Sequence, residues 1–257
     1  MAIDLFDLKG RVALVTGGSK GLGLAMARIF AEAGADVIVS SRHENDLAKA
    51  VAEIQKVAAG GRAGYLVADM TERKDIERLA QSALAEHRHV DILVNNAGSN
   101  QPQAIDEIRD EDWDRIIQLN LTSCMALTRA IVPSMKERRW GRVIHISSIM
   151  GLASKEARNV YSATKAGLIG LARASALDLG PYGITVNCLA PGPFLTDLPG
   201  TLLTEAEKKG FAQRTALGRW GQPRELAGPA LLLASEAGSY ITGAVLVVDG
   251  GTLVKTF

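Results

Sequence analysis

The chain has 257 residues, of which 47% are hydrophobic, and its 29 basic residues against 28 acidic ones leave a net charge of +1. That length suits one α/β sheet wrapped by helices on both faces, with apolar material enough for a core. A near-neutral balance offers no electrostatic footprint for nucleic acid or an anionic membrane, so neither is expected as a partner.

Residues 1–9 interleave Asp4 and Asp7 with apolar residues, unlike the basic stretch and apolar core of a secretory signal. No uninterrupted apolar run approaches the ~18 residues of a membrane span, so a cytoplasmic protein is expected. Residues 11–16 (RVALVT) read as a buried strand and 22–34 as a helix stopped by Gly34. Residues 37–40 form a second strand, followed by a helical stretch over 44–57. A third strand ends near Ala68, and 71–86 is a helix with Thr71 placed as its N-cap. Residues 91–95 (DILVN) make a fourth strand. The acidic run 106–114, which includes Trp113, predicts a solvated helix start favoured by the helix dipole. Helices are expected around 113–122 and on through about Met135, then a strand at 142–147 (RVIHIS).

Residues 160–179 are helical and 184–189 form a strand. The weak pattern of 191–217 predicts a mobile lid. The Trp220-Gly-Gln-Pro stretch is a packing turn before a helix at 225–235 and a last strand at 244–248. Continuous apolar strands separated by helices predict a parallel sheet covered on both faces. Right-handed crossovers make it a doubly wound, seven-stranded Rossmann α/β fold, a single domain with no internal repeat or linker. Its cofactor half is about 1–150 and its catalytic half about 142–257. Cys124 and Cys188 lie far apart, outside any C-x-x-C pair, and are expected as reduced core thiols. His43, His87, His89 and His145 show no metal-ligand spacing, and His87-Arg88-His89 reads as a solvated helix end.

Twenty-six glycines, about one residue in ten, exceed the typical ~7% and point to tight turns or close approach to a ligand. The densest cluster follows the first strand: Thr16-Gly17-Gly18-Ser19-Lys20-Gly21-Leu22-Gly23. Open α/β sheets bind ligands at the carboxyl ends of their strands, and a helix N-terminus presents unsatisfied N–H groups to a pyrophosphate. The spacing is G-x-x-x-G-x-G, placed between a strand and a helix as a dinucleotide site requires.

Tyr161 and Lys165 lie four apart at the start of a helix, on one face. A free tyrosine, with pKa ~10, is a poor base at neutral pH, and a nearby ammonium favours its phenolate. Ser148 follows a strand, at the same edge of the sheet as the glycine turn. Its hydroxyl can bond a substrate carbonyl and stabilise developing alkoxide character.

In these motifs the chain resembles the short-chain dehydrogenase/reductase family, nearly from end to end. The landmarks occur in order: Thr16–Gly23, Asp69, Asn95-Asn96-Ala97-Gly98, Asn120, Ser148, Tyr161, Lys165, Pro191-Gly192 with Thr196, and Asp249-Gly250-Gly251. The resemblance implies that Tyr161 exchanges a proton with the substrate oxygen and that Ser148 holds that oxygen. It implies that Lys165 bonds the nicotinamide ribose and lowers the Tyr161 pKa, with Asn120 positioning a water that links Lys165 to solvent. By the same resemblance Asp69, with Met70 beside it, contacts adenine, and Asn96, Ala97 and Gly98 line the adenosine ribose. Pro191, Gly192, Phe194 and Thr196 would hold the nicotinamide carboxamide or the phosphates. A homotetramer is also implied.

NAD-preferring relatives carry Asp near the end of the second strand, where its carboxylate bonds the ribose hydroxyls. Here Ser41 stands there, followed by Arg42. A guanidinium can pair bidentately with a 2′-phosphate, and Lys20 adds a second cation at that corner, so NADP(H) is expected over NAD(H). Substrate identity falls to the loop after Pro191 and to Gln101, Ile149, Met150, Phe194 and Leu195. The resemblance extends to both gluconate 5-dehydrogenase-like and 3-oxoacyl-(acyl-carrier-protein) reductase-like subgroups, so a sugar acid and a 3-oxoacyl thioester both stay open as the small-molecule substrate. A catalytically silent NADP-binding regulator is the alternative, disfavoured because Asn120, Ser148, Tyr161 and Lys165 are all present.

Overall fold

The computed structural model describes residues 4–196 and 204–255. The chain runs β1 (Val12–Thr16), α1 (Gly21–Glu32), β2 (Asp36–Ser41), α2 (Glu44–Gln55), β3 (Ala63–Val67), α3 (Arg73–His87) and β4 (Ile92–Asn95). It continues through α4 (Asp110–Ile117), a π-helical turn (Gln118–Thr122), α5 (Ser123–Arg138), β5 (Gly141–Ile146), α6 (Asn159–Leu179) and β6 (Ile184–Pro191). It ends with α7 (Glu205–Gln213), α8 (Pro223–Ala234) and β7 (Val245–Val248). The strands form one sheet, ordered β3-β2-β1-β4-β5-β6-β7, with every pairing parallel. This is the expected doubly wound Rossmann sheet.

Every residue of β1 is buried, because the sheet has an apolar layer on each face. Ala13 and Val15 pack with Met26 and Phe30 of α1 and Leu226 and Ala230 of α8. Val12 and Leu14 join the opposite layer with Leu79 of α3, Leu127 and Ile131 of α5, and Ile169 of α6. The strand order reverses between β1 and β4. The carboxyl ends of these two strands therefore open a crevice, which is where such sheets take ligands.

Several expected features differ. Thr71 is not a helix cap: its N–H and its Oγ1 both donate to Asp69 Oδ1, at 2.9 and 2.7 Å, and Glu72 holds the cap position of α3. The helices expected around 113–122 and through Met135 are one run, 110–138, interrupted only by the π-turn. By length and composition that run could cross a membrane, yet half of its most apolar window is buried inside the protein. The acidic start of α4 is not wholly solvated, since Asp112 is buried. Within the 191–217 stretch, 197–203 lie outside the described residues and 205–213 form α7. His87 closes α3 and Arg88 turns left-handed (φ 66°), but His89 leans inward to Asp91 at 3.2 Å. Trp220 packs as expected, its ring 5.3 Å from that of Phe211. Both cysteines are buried and unpaired with each other.

Candidate active site

The glycine turn is built around contacts that leave no space for a side chain. A Cβ on Gly23 would stand 2.2 Å from Gly17 O, and one on Gly18 would meet the Val39 side chain at 2.6 Å. Gly17 also adopts φ 63°, a left-handed conformation that favours glycine. Asn96 supports the turn from beneath: Nδ2 donates to Thr16 O at 2.9 Å and to Gly17 O at 3.1 Å. Thr16 Oγ1 accepts from the N–H groups of Asn96 and Ala97. The Nδ2 group of Asn96 is thus committed to shaping the turn. No side chain caps the start of α1 and no acidic residue stands in its first turn, so its first N–H groups are open to an anion. A Cβ on Gly21 would lie 3.4 Å from Thr196 Cγ2, which sets Thr196 against this same turn.

The catalytic candidates converge from β5, the π-turn and α6. Lys165 is 4% exposed, yet no carboxylate answers it among the described residues. Its Nζ donates to Ile146 O at 2.7 Å and lies 5.5 Å from the centre of the Tyr161 ring. Ser147 Oγ donates to Lys165 O at 2.8 Å, tying the end of β5 to α6. Ser148 comes next, 7% exposed, with Oγ accepting from Met150 N at 3.1 Å. That acceptance leaves the hydroxyl proton for another oxygen. Asn120 sits in the π-turn, an irregularity frequent at functional sites. Its Oδ1 accepts from Ser99 N at 2.9 Å, and Nδ2 donates to Ser99 O at 2.8 Å and Thr164 Oγ1 at 3.2 Å. A Cβ on Gly98 would stand 3.1 Å from Asn120 Oδ1 and 3.6 Å from Lys165 Nζ. The glycine turn, the stretch after β4 and the start of α6 therefore meet in one cleft.

At the far end of that cleft Ser41 ends β2, its Oγ accepting from His43 N at 3.4 Å. Arg42 is largely exposed, with NH1 3.7 Å from Asp69 Oδ2. Lys20 is exposed in the glycine turn. The open helix N-terminus, the Cβ-free turn and these cations fit an anionic dinucleotide.

A profile of the family described as short chain dehydrogenase matches residues 11–207. The chain belongs to the short-chain dehydrogenase family. It is 37% identical over 259 aligned residues to D-beta-hydroxybutyrate dehydrogenase of Cupriavidus necator, spanning 96% of this chain and 100% of that one. To 3-oxoacyl-(acyl-carrier-protein) reductase of Escherichia coli it is 38% identical over 95% of this chain and 98% of that one. A crystal structure of gluconate 5-dehydrogenase from Burkholderia cenocepacia, in complex with NADP and tartrate, superposes with a TM-score of 0.92. The identity there is 34%, over 99% of each chain.

In this short-chain dehydrogenase some residues expected at the cofactor do other work with their side chains. Met70 is 4% exposed within the apolar layer. The Phe194 ring is buried against Gly221, where a Cβ would approach it to 2.8 Å. Gly192 N donates to Val248 O at 2.9 Å, and a Cβ on Gly192 would meet Asp249 Cβ at 2.6 Å, so the Pro191-Gly192 and Asp249-Gly250-Gly251 motifs brace each other. Sequence reasoning overlooked the buried pair Asn95–His145: Asn95 Nδ2 donates to His145 Nδ1 at 3.1 Å and to Thr128 Oγ1 at 3.1 Å. Burial, with the Lys165 ammonium adding to it, pushes the His145 pKa down to about 4. The histidine is therefore neutral at pH 7. It also overlooked Gln103 and Asp112, which carry no pattern that separates them from surface residues.

Proposed function

We propose that this short-chain dehydrogenase is an NADP(H)-dependent oxidoreductase acting on a ketone or secondary alcohol, with Tyr161 as its acid–base group. The observation that carries this reading is Lys165, buried without a carboxylate and held beside the Tyr161 ring. An uncompensated ammonium is costly to bury, and one turn beyond Tyr161 in α6 a proton-transfer site can use one. The glycine turn, Thr196 and the Arg42–Lys20 corner would hold NADP(H), which would supply or take up the hydride when bound.

In the reduction direction Ser148 donates a hydrogen bond from its free hydroxyl to the carbonyl oxygen and keeps its proton, and Tyr161 delivers the one proton that completes the alcohol. Lys165 stabilises the phenolate left behind. One of its protons is spent on Ile146 O, which leaves the others for a ribose hydroxyl or a water. Both amide N–H groups of Asn120 are committed to Ser99 and Thr164, so a relay water would rest on its remaining acceptor capacity.

The test is NADPH oxidation against a panel of simple ketones, 3-oxoacyl thioesters and 5-ketogluconate. Tyr161→Phe should cut kcat by roughly 10²–10⁴-fold while leaving NADPH affinity intact, because the ring still packs. A variant retaining more than about a tenth of wild-type kcat would remove Tyr161 from the role. Wild-type protein that binds NADPH tightly yet turns over nothing would favour the silent regulator instead.

A further inference from the structure

The segment between β4 and α4 crosses the start of α6, and the run from α4 into the π-turn anchors it at both ends. At one end Asn120 holds both main-chain groups of Ser99 and reaches Thr164, the neighbour of Lys165. At the other, Gln103 forms an isolated parallel bridge with Arg158. Gln103 N donates to Ala157 O at 3.1 Å, and Asn159 Nδ2 donates to Gln103 O at 3.0 Å. Asn159 opens α6, and Tyr161 lies in the first turn.

The Gln103 side chain turns inward, where Nε2 donates to Asp112 Oδ2 at 2.9 Å. Asp112 is only 6% exposed and also accepts from Arg109 Nε at 2.8 Å and Arg115 NH2 at 3.3 Å. The Arg109 guanidinium holds the Asp112 carboxyl below the usual carboxylate range, with Arg115 and Gln103 acting in the same sense. Ala157 adopts φ 58°, a conformation that a residue with a Cβ keeps only where its surroundings enforce it. Its carbonyl is the one that Gln103 N holds. A buried, multiply bonded carboxylate and a strained alanine thus meet at the approach to Tyr161. A solvated helix start would need neither.

Resting on the dehydrogenase reading above, we propose that Asp112 is a positioning residue for Tyr161, acting through Gln103 to clamp residues 157–159 where α6 begins. Neither Asp112 nor Gln103 touches the reacting atoms. The first turn of a helix has the fewest internal hydrogen bonds, so an external tie decides where its side chains point. Displacing a catalytic group by about 1 Å can cost on the order of 10²-fold in rate. The glycine turn stands on β1 and α1 and does not depend on this clamp.

The experiment uses the full-length enzyme with Gln103→Leu, Asp112→Asn and the double variant. Each single change should lower kcat for carbonyl reduction about tenfold or more, with KM for NADPH within about twofold. The double variant should be no worse than the more damaging single, because both cut one path. Amide hydrogen exchange over 157–162 should accelerate about tenfold in each variant, while exchange over 12–23 stays unchanged. Unchanged exchange over 157–162 overturns the clamp, whatever the kinetics. Accelerated exchange with wild-type kcat overturns the positioning role. A wild type that reduces no carbonyl, with exchange still responding, sinks the dehydrogenase reading and leaves the clamp supported.

Discussion

Arg42 follows β2 directly, with 62% of its side chain exposed and Asp69 3.7 Å away. An exposed pair of this kind contributes at most ~1 kcal/mol, whereas hydrogen bonds to a charged phosphate contribute roughly 1.5–3 kcal/mol each. The guanidinium is therefore free to leave Asp69 for a 2′-phosphate. Arg42→Ala should weaken NADPH binding about ten- to a hundred-fold and leave NADH, which lacks that phosphate, little changed. Arg42→Asp should tilt preference toward NADH by adding repulsion and offering a carboxylate to the ribose hydroxyls. Lys20→Ala should act in the same direction more weakly, since an ammonium is less directional. Titrating each variant with both cofactors in one buffer decides it, and an equal loss for the two would reassign Arg42 to structure. At this scale the proximity of the candidate residues Tyr161 and Lys165 was legible because they stand four apart in one helix. Asp112 was not: Arg109 and Arg115 at i,i+3 read equally as a solvated ion-pair face, and no spacing marks Gln103 as its partner.

The pairing of β4 with β5 sets Asn95 opposite His145, and the register extends to Cys188 on β6. All three side chains are buried, and burial pushes the Cys188 thiol up to about 12. His145 gives the sheet a pH dependence whose sign follows from its neutral folded form. Unfolded, the imidazole takes a proton near pH 6.5; folded, it does so only near about 4. Stability is fully present above about pH 6.5 and is lost as pH falls from there toward the folded value, by about 3 kcal/mol at ~1.4 kcal/mol per unit. Urea denaturation across that window should show a shallower pH slope for His145→Asn than for wild type. Identical slopes would place the acid sensitivity on other groups. The strands themselves were legible as apolar runs, and their boundaries came within a few residues. The π-turn was not, because an extra residue in a helical turn leaves no mark in a 3.6-residue periodicity.

Across the whole molecule, α6 buries one face on the sheet and leaves the other mostly to small and apolar residues, with Arg173 and Asp178 exposed among them. Ala163, Ala166, Gly170 and Ala174 form an exposed stripe of small residues, and Leu177 beyond them is 81% exposed. Near the C-terminus Val247 is 38% and Val254 80% exposed. Of the apolar end at 253–257, residues 256 and 257 lie outside the described residues. Small side chains let two helix backbones approach closely across a dyad, and apolar patches of this extent mark association surfaces. We therefore expect a homotetramer with D₂ symmetry, joined through α6 and through the β7 edge. Sedimentation at micromolar concentration should give a species about four times the chain mass; a clean 27.3 kDa monomer would refute it. Leu177→Lys should shift the equilibrium toward smaller species.

What the amino-acid sequence determined by itself is the set of features whose physics is local. Glycine freedom acts within one turn, apolar alternation within one strand, and the Tyr161–Lys165 spacing within one turn of helix. From these followed the doubly wound sheet and the meeting of Tyr161 with Lys165. Only the tertiary structure decided which polar groups are already committed. Asn96 is spent on the glycine turn, Asn120 on Ser99 and Thr164, Asn95 on His145, and Asp112 on Gln103. A hydrogen bond depends on distance in space, and except for Gln103 with Asp112 these partners stand tens of residues apart, so no pattern along the chain records who holds whom.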